Sequence, residues 1–377
     1  MDAPAPTPGA AEFRDAVDHP NLRGRGAGLN PGSRFEDIRL HVLGEFLDEQ
    51  AAEHPGGARV PTRVYEDDSR TIINRVESPD ISFSWTINPY RGCEHGCIYC
   101  YARPGHEYFG LSSGLDFETK IFAKTRAPEL LRAELASPKW SPETIVMSGV
   151  TDPYQPVERR LRITRGCLEV LAECRQPVAL ITKNALILRD LDLLTELNRH
   201  GAVRAAISLT TLDNALASKL EPRASSPRER LGAIRTLADA GIPVTVMTAP
   251  MIPAINDREM PALLKAAAEA GATTAGYTLM RLPYQIKALF LEWLQRHVPE
   301  RAAHVESLIR GARGGKLYDA TPGIRHSGTG EYAAQLGRTF SVFAKRFRLN
   351  RPGASMNTAA FIRPDPPRDP RQPGLFG

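Results

Sequence analysis

Between residues 81 and 297, short apolar runs alternate six times with amphipathic helical stretches, and few folds accommodate that rhythm. The apolar runs are Ile81–Asn88, Thr144–Gly149, Val178–Thr182, Ala205–Leu209, Val244–Thr248 and Thr274–Leu279. The predicted helices are Ala127–Ala136, Thr164–Arg175, Leu188–Arg199, Pro227–Ala240, Arg258–Ala270 and Tyr284–His297. Gly201, Gly241 and Gly271 follow three of them, where a left-handed residue ends a helix well. A helix between successive strands returns the chain in the same direction, so the strands are parallel. Their continuous apolar character fits a sheet covered on both faces. An eight-unit closed barrel lacks the sequence it would need; an open partial barrel and a doubly wound sheet both satisfy the period.

The flanks differ in composition. Residues 1–64 are rich in Gly, Pro, Ala and charge and predict an irregular extension with one helix over Asp37–Glu53. Leu22–Gly32 reads as a flexible basic loop, and its Gly24-x-Gly26-x-Gly28 follows no strand, so it is a poor dinucleotide fingerprint. The central unit spans 65–300 and a helical segment 301–350, with a basic stretch near Phe340–Arg348 that either covers the barrel mouth, contacts substrate or simply packs. The Pro- and Arg-rich end, 351–377, predicts a disordered tail.

Three cysteines fall within eight residues after the first strand: Cys93, Cys97 and Cys100, spaced C-x3-C-x2-C. A closed zinc or iron–sulfur site needs four protein ligands, so three leave one coordination position open. With five cysteines in all and no export signal, a disulfide framework is not expected. Zinc with His95 or His106 as fourth ligand is the structural alternative. No apolar run approaches the ~18 residues of a membrane span, and a reducing cytoplasm is the expected compartment. A net charge of +5 permits nucleic-acid binding without establishing it.

Polar residues recur where the strands end, which is where parallel α/β folds collect function. Ser148 to Glu158 follows the second strand, Thr182-Lys183-Asn184 the third, Ser208-Leu-Thr210-Thr211 the fourth, Ala249 to Asp257 the fifth and Met280-Arg281 the sixth.

The cysteine spacing, with Tyr99 before the last cysteine, resembles the C-x3-C-x-aromatic-C motif of radical S-adenosylmethionine (SAM) enzymes. That resemblance implies an α/β partial (β/α)6 TIM-type barrel. It also implies a 4Fe–4S cluster on Cys93, Cys97 and Cys100, and SAM on the open iron. The expected activity is reductive cleavage of SAM to a 5′-deoxyadenosyl radical, with a reductase, flavodoxin or ferredoxin as electron donor. The ammonium of SAM needs acceptors, available from Asp152 or the carbonyls around Ser148 to Val150. Its carboxylate suits Lys183 and Ser208, and its adenine an aromatic or backbone face, from Tyr99 or the fifth and sixth strands.

Over roughly residues 65–300 the chain is similar to the spore photoproduct lyase-like branch, through Asn88-Pro-Tyr-Arg-Gly-Cys93 to Arg103 and Gly149-Val-Thr-Asp152 to Glu158. In that branch a lysine after the third strand and a serine ending the fourth contact the SAM carboxylate, which Lys183 and Ser208 match. Authentic lyases also place a hydrogen-donating cysteine near the end of the second strand; this chain has Ser148-Gly-Val-Thr-Asp152 there. Cys167 and Cys174 fall on the next helix, ~10 Å apart along its axis, and read as core. The substrate is therefore left open. A lyase- or repair-type enzyme acting on nucleic acid is one alternative, and a non-catalytic zinc- or cluster-stabilised interaction module another.

Overall fold

The computed structural model describes residues 22–35, 60–351 and 355–365, together with the backbone of Phe13–Asp15 and His41–Leu43. Six parallel strands form its centre: β1 (Trp85–Ile87), β2 (Ile145–Met147), β3 (Val178–Thr182), β4 (Val203–Ser208), β5 (Val244–Met251) and β6 (Thr274–Leu279). They stand in sequential order, and Ile73–Arg75 adds an antiparallel edge beside β1. Register follows the apolar runs: Ile145 lies opposite Val178, Val178 opposite Val203, and Ala205 opposite Val244.

The crossover helices are α1 (Ala127–Ala136), α2 (Ile163–Glu173), α3 (Leu191–Arg199), α4 (Pro227–Asp239), α5 (Met260–Glu269) and α6 (Ile286–His297). Neighbours pack in succession, α1 on α2, α2 on α3 and α4 on α5. A doubly wound sheet needs a point where strand order reverses. None exists in this sheet, so the doubly wound alternative gives way to an open (β/α)6 partial barrel. Its core is continuous from Ile87 through Leu180, Ile207 and Val246 to Leu279, all essentially without exposure. No helix among the described residues is long and apolar enough to cross a membrane.

Six units leave a seam between β6 and the 73–75 edge, and polar contacts bridge it. Asp80, just before β1, accepts from Arg325 Nε at 2.7 Å and from Gly323 N at 3.2 Å. Arg325 lies on the short helix Ile324–Ser327, which packs on β6. Nearby, the guanidinium of Arg281, directly after β6, stands 4.4 Å from the ring of Tyr101 in the cysteine loop.

Several expectations change. Leu22–Gly32 is no free loop: Arg25, Gly26, Ala27 and Gly28 are buried, with Gly26 and Ala27 against the cysteine loop and Gly28 against α6. The helix expected over Asp37–Glu53 lies outside the described residues except at His41–Leu43, which is a strand antiparallel to Phe13–Asp15. Of the tail expected to be disordered from Arg351, residues 355–365 are docked on the barrel. Ile362 N donates to Cys174 O at 2.8 Å, and Arg363 to the carbonyls of Leu135 and Trp140 at 3.1 and 3.0 Å. Leu135 lies in the last turn of α1 and Cys174 caps the end of α2, where carbonyls lack helical partners. The long helix Gly330–Arg346 packs on α5 and β6, with the rings of Tyr277 and Phe340 4.7 Å apart. That is the packing alternative for the basic stretch.

Arg363→Ala removes charged donors from several carbonyls and should lower stability by about 1–3 kcal/mol. An unchanged urea midpoint would show that the docked tail contributes nothing.

Candidate functional site

The cysteine loop is a series of tight turns. Cys93 N bonds Phe117 O at 3.0 Å, Cys100 N bonds Cys97 O at 3.2 Å, and Arg103 N bonds Cys100 O at 3.3 Å. Gly96 takes φ +66°, and a Cβ there would stand 2.7 Å from Glu118 Oε2. A Cβ on Gly26 would meet Gly96 O at 1.8 Å, so the glycines of the N-terminal strap serve close backbone approach. Glu118 holds the two segments together. Its carboxylate accepts from Gly26 N at 3.0 Å and Ala27 N at 2.8 Å, and pairs with Arg103 at 2.5 Å. Arg103 in turn donates from Nε to Cys97 O at 2.9 Å.

Cys93 and Cys97 are buried and Cys100 is half-buried. Burial first, then Asp152 and the other two cysteines, pushes the Cys93 thiol well up; burial first, then Glu221, raises Cys97. The three thiols are thus close enough to feel one another's charge. Thiols so raised hold their protons until a metal displaces them. Among the described residues no three of His, Cys, Asp and Glu converge on one ion. A cluster uses each cysteine on a different iron, so three spaced thiols suit it. The histidines proposed as a fourth zinc ligand are engaged elsewhere. His95 lies 3.3 Å from Asp152 and 3.1 Å from Asn184, and His106 Nε2 is 2.9 Å from Lys120 O.

The strand ends come to the same place. After β2 the backbone is strained, Ser148 at φ +151° and Gly149 at +132°. The loop is bound to the cysteines: Thr151 Oγ1 donates to Gly92 O at 2.6 Å, and Glu94 N to Gln155 Oε1 at 2.9 Å. Ser148 Oγ donates to Thr151 O at 3.1 Å. Asp152, expected to accept from the SAM ammonium, has both oxygens engaged within the protein. One takes Tyr154 N at 2.9 Å and Thr182 Oγ1 at 2.6 Å; the other takes Lys183 N at 2.9 Å beside His95. Burial works against this carboxylate, yet the His95 contact and these donors hold it below its ordinary range.

Lys183 stands with its ammonium 5.8 Å from the Tyr99 ring and forms no ion pair among the described residues. Burial pulls it down, but Cys97 and Glu221 outweigh that and raise it, so the ammonium stays charged. Ser208 is buried at the end of β4; its carbonyl accepts from Arg230 at 3.1 Å, and its hydroxyl has no partner among the described residues. Tyr99 does not offer the open aromatic face expected of it. It is buried, and its hydroxyl is tied to Glu221, which also takes Thr210 Oγ1 at 2.6 Å and pairs with Arg230. Burial opposes the Glu221 charge, but Arg230 and Lys183 bring it to about 2.

Sequence reasoning missed Arg103, Glu118, Glu221 and Arg230, whose pairings follow no helix or strand period; Glu118 also takes the amides of Gly26 and Ala27, and Glu221 the Tyr99 hydroxyl. It also missed Tyr101, which adjoins Cys100 and is 50% exposed.

A family model described as the Radical SAM superfamily matches residues 87–267. Uncharacterized protein Rv2578c of Mycobacterium tuberculosis is 36% identical over 244 residues, 64% of this chain and 72% of that one. The Radical SAM Nalpha-GlyT isomerase of Pseudomonas phage M6 is 25% identical over 295 residues, 77% and 59% of the two chains. Among solved structures, spore photoproduct lyase complexed with dinucleoside spore photoproduct superposes with a TM-score of 0.55 at 18% identity, covering 81% of this chain and 92% of that one. A variant of it with bound AdoMet and the same photoproduct gives 0.54 at 17%, with the same coverage.

Glu118→Gln leaves the Arg103 guanidinium buried without its counter-charge and should cost about 3–5 kcal/mol. Faster alkylation of Cys97 in metal-free protein should accompany it; wild-type rates would contradict the anchoring role. A second expectation concerns acid. Burial outweighs the raising effect of the bond to Lys120 O and brings His106 to about 4 from an ordinary 6.5. The unfolded imidazole takes a proton that the folded one refuses, so stability falls as pH drops from 6.5 toward 4, by up to roughly 3 kcal/mol. His106→Gln should flatten that part of the urea-midpoint-against-pH curve.

Proposed function

The chain belongs to the radical SAM superfamily, and we propose that it binds a 4Fe–4S cluster on Cys93, Cys97 and Cys100 and cleaves SAM reductively. Membership implies an enzyme with this cluster and SAM as cofactors. The observation that carries the residue assignment is the Lys183 ammonium, in no ion pair among the described residues and 5.8 Å from the ring of Tyr99, which stands between Cys97 and Cys100 in the loop. When bound, the cluster supplies one electron to SAM, which splits into methionine and a 5′-deoxyadenosyl radical that takes hydrogen from substrate.

The chain's own residues do the rest. Cys93, Cys97 and Cys100 would hold the cluster as thiolates and leave one coordination position open for SAM. Lys183 and the free Ser208 hydroxyl receive the SAM carboxylate. The strained backbone at Ser148 to Val150 presents carbonyls to the ammonium, and Asp152, being fully engaged, orients that backbone instead of binding the ligand. Tyr99 acts as a wall pinned by Glu221. Electrons come from a reductase, flavodoxin or ferredoxin, and the cytoplasm supplies the reducing setting.

A second observation favours a nucleic-acid substrate. Tyr101 is exposed beside Cys100 with Arg281 on its ring, a pairing on which bases stack. One similar structure, the spore photoproduct lyase, is complexed with a dinucleoside photoproduct. The stretch Ser148 to Asp152, near where the lyases place their hydrogen-donating cysteine, contains none, which argues for a reaction other than photoproduct repair.

Protein reconstituted anaerobically should hold about four irons per chain and release 5′-deoxyadenosine after dithionite reduction. Zinc in place of iron after anaerobic purification would favour the interaction module. Cys93→Ala should abolish cleavage, and Lys183→Met should weaken SAM binding about 10- to 100-fold. Unchanged affinity would remove Lys183 from the site. For the substrate class, log affinity for single-stranded DNA or RNA should fall linearly with log salt, and Tyr101→Ala should weaken it.

A further inference from the structure

His95 occupies the gap between Cys93 and Cys97, is 1% exposed, and has no part in the chemistry assigned so far. Its ring nitrogens bond in two directions: Nδ1 lies 3.3 Å from Asp152 Oδ2, and Nε2 lies 3.1 Å from the amide nitrogen of Asn184. The surrounding bonds fix which nitrogen carries hydrogen. Asn184 Oδ1 accepts from Leu186 N at 3.0 Å, a donor of fixed identity, and from Ser225 Oγ at 3.1 Å. Ser225 Oγ accepts from Ala185 N at 3.0 Å, which leaves its own hydrogen for Asn184. Asn184 therefore turns its NH2 toward His95, and Nε2 must accept. The ring's one hydrogen sits on Nδ1 and is donated to Asp152.

Asp152 Oδ2, which receives that hydrogen, also receives the backbone N–H of Lys183 at 2.9 Å. Two hydrogen bonds through one carboxylate thus join the cysteine loop to the residue whose ammonium faces SAM. The loop has other ties. Gly92 O and Glu94 N bind the loop after β2, and His95 O accepts from Arg223 N at 3.2 Å. Those bonds hold the loop's shape; the imidazole adds a link to the end of β3.

We propose that His95 is a positioning residue. As the Nδ1–H tautomer it locks the cysteine loop to Asp152 and so sets the Lys183 ammonium relative to the cluster. This rests on the cofactor reading above. A structural role alone would make both ring bonds equivalent, whereas positioning through Asp152 makes them unequal. Two substitutions separate the bonds. Asparagine places an N–H near the Nδ1 position and does not reach Asn184. Glutamine reaches the Nε2 position, where its oxygen can accept, and offers Asp152 nothing.

The test compares full-length wild type, His95→Asn and His95→Gln, reconstituted anaerobically and matched for iron content, without turnover. The readouts are the SAM dissociation constant and the change that SAM produces in the electron paramagnetic resonance spectrum of the reduced cluster. His95→Asn should stay within about threefold of wild type, while His95→Gln should bind SAM at least about tenfold more weakly and lose the spectral change. Equal behaviour of the two variants at matched iron, whether both intact or both impaired, overturns the proposal. Should His95→Gln take up no iron, Asp152→Asn decides. Iron retained with weakened SAM binding supports positioning; iron lost there too makes the role structural and overturns it. A wild-type protein that holds iron yet shows no response to SAM sinks the cofactor reading and this proposal together. A responsive wild type with equal variants sinks this proposal alone.

Discussion

The buried carboxylate of Glu118 is the interaction on which the site's construction depends. It draws the N-terminal strap, the cysteine loop and the segment after it onto one pair of oxygens, through Gly26 N, Ala27 N and Arg103. Taking a carboxylate and a guanidinium out of water is costly, and attraction between them offsets that only when the remaining donors are satisfied. Arg103 meets that condition by spending its other N–H groups on the carbonyls of Cys97, Ser113 and Gly114. An apolar pair of equal volume would leave those carbonyls and the Gly26 and Ala27 amides without partners. The charge is there to satisfy irregular backbone, of the kind a cluster-binding loop requires.

Two further buried carboxylates repeat the device. Asp152 binds the loop after β2 to the end of β3 and to His95, and Glu221 binds Tyr99 to Thr210 and Arg230. Each belongs to a different part of the chain, and each faces the cysteine loop. Asp152 adds to burial in raising Cys93, and Glu221 adds to burial in raising Cys97. Arg230 and Lys183 offset part of that negative charge on the side of β4, where an anionic ligand group is best received.

How much of this the sequence disclosed follows from what each feature encodes. The strands, α1 and the cysteine triplet are local, written in a period or a spacing. The β3 and β6 bounds and those of α1 match their expected residues. The buried networks are not local: Arg103 and Glu118 are separated by intervening chain, and Glu221 meets Tyr99 across the barrel. Composition also misleads in a definite way. The Gly- and Arg-rich strap reads as flexible, yet its Gly26 permits a contact with Gly96 that a Cβ would block, and Arg25 is spent on Glu118 O and Val60 O. His95 was weighed as a metal ligand because it lies among cysteines; its actual partners could not be known before β2 and β3 were placed beside it.

The open seam separates two demands that the fold must meet at once. The cluster loop, the strand ends and Lys183 need fixed relative positions, and they sit on hydrogen-bonded strands and buried carboxylates. Substrate needs a way in, and the gap beside β6 is bridged by groups of another kind, the Asp80–Arg325 pair and the Arg281–Tyr101 stack. Strand ladders and buried networks open only with much of the core, whereas partly exposed ion pairs and cation–π contacts are weak and dispensable. In this seven-stranded sheet the cofactor face is therefore held more firmly than the seam. Closure by two more strand–helix units would remove that difference, which gives a physical reason for the chain to stop at six.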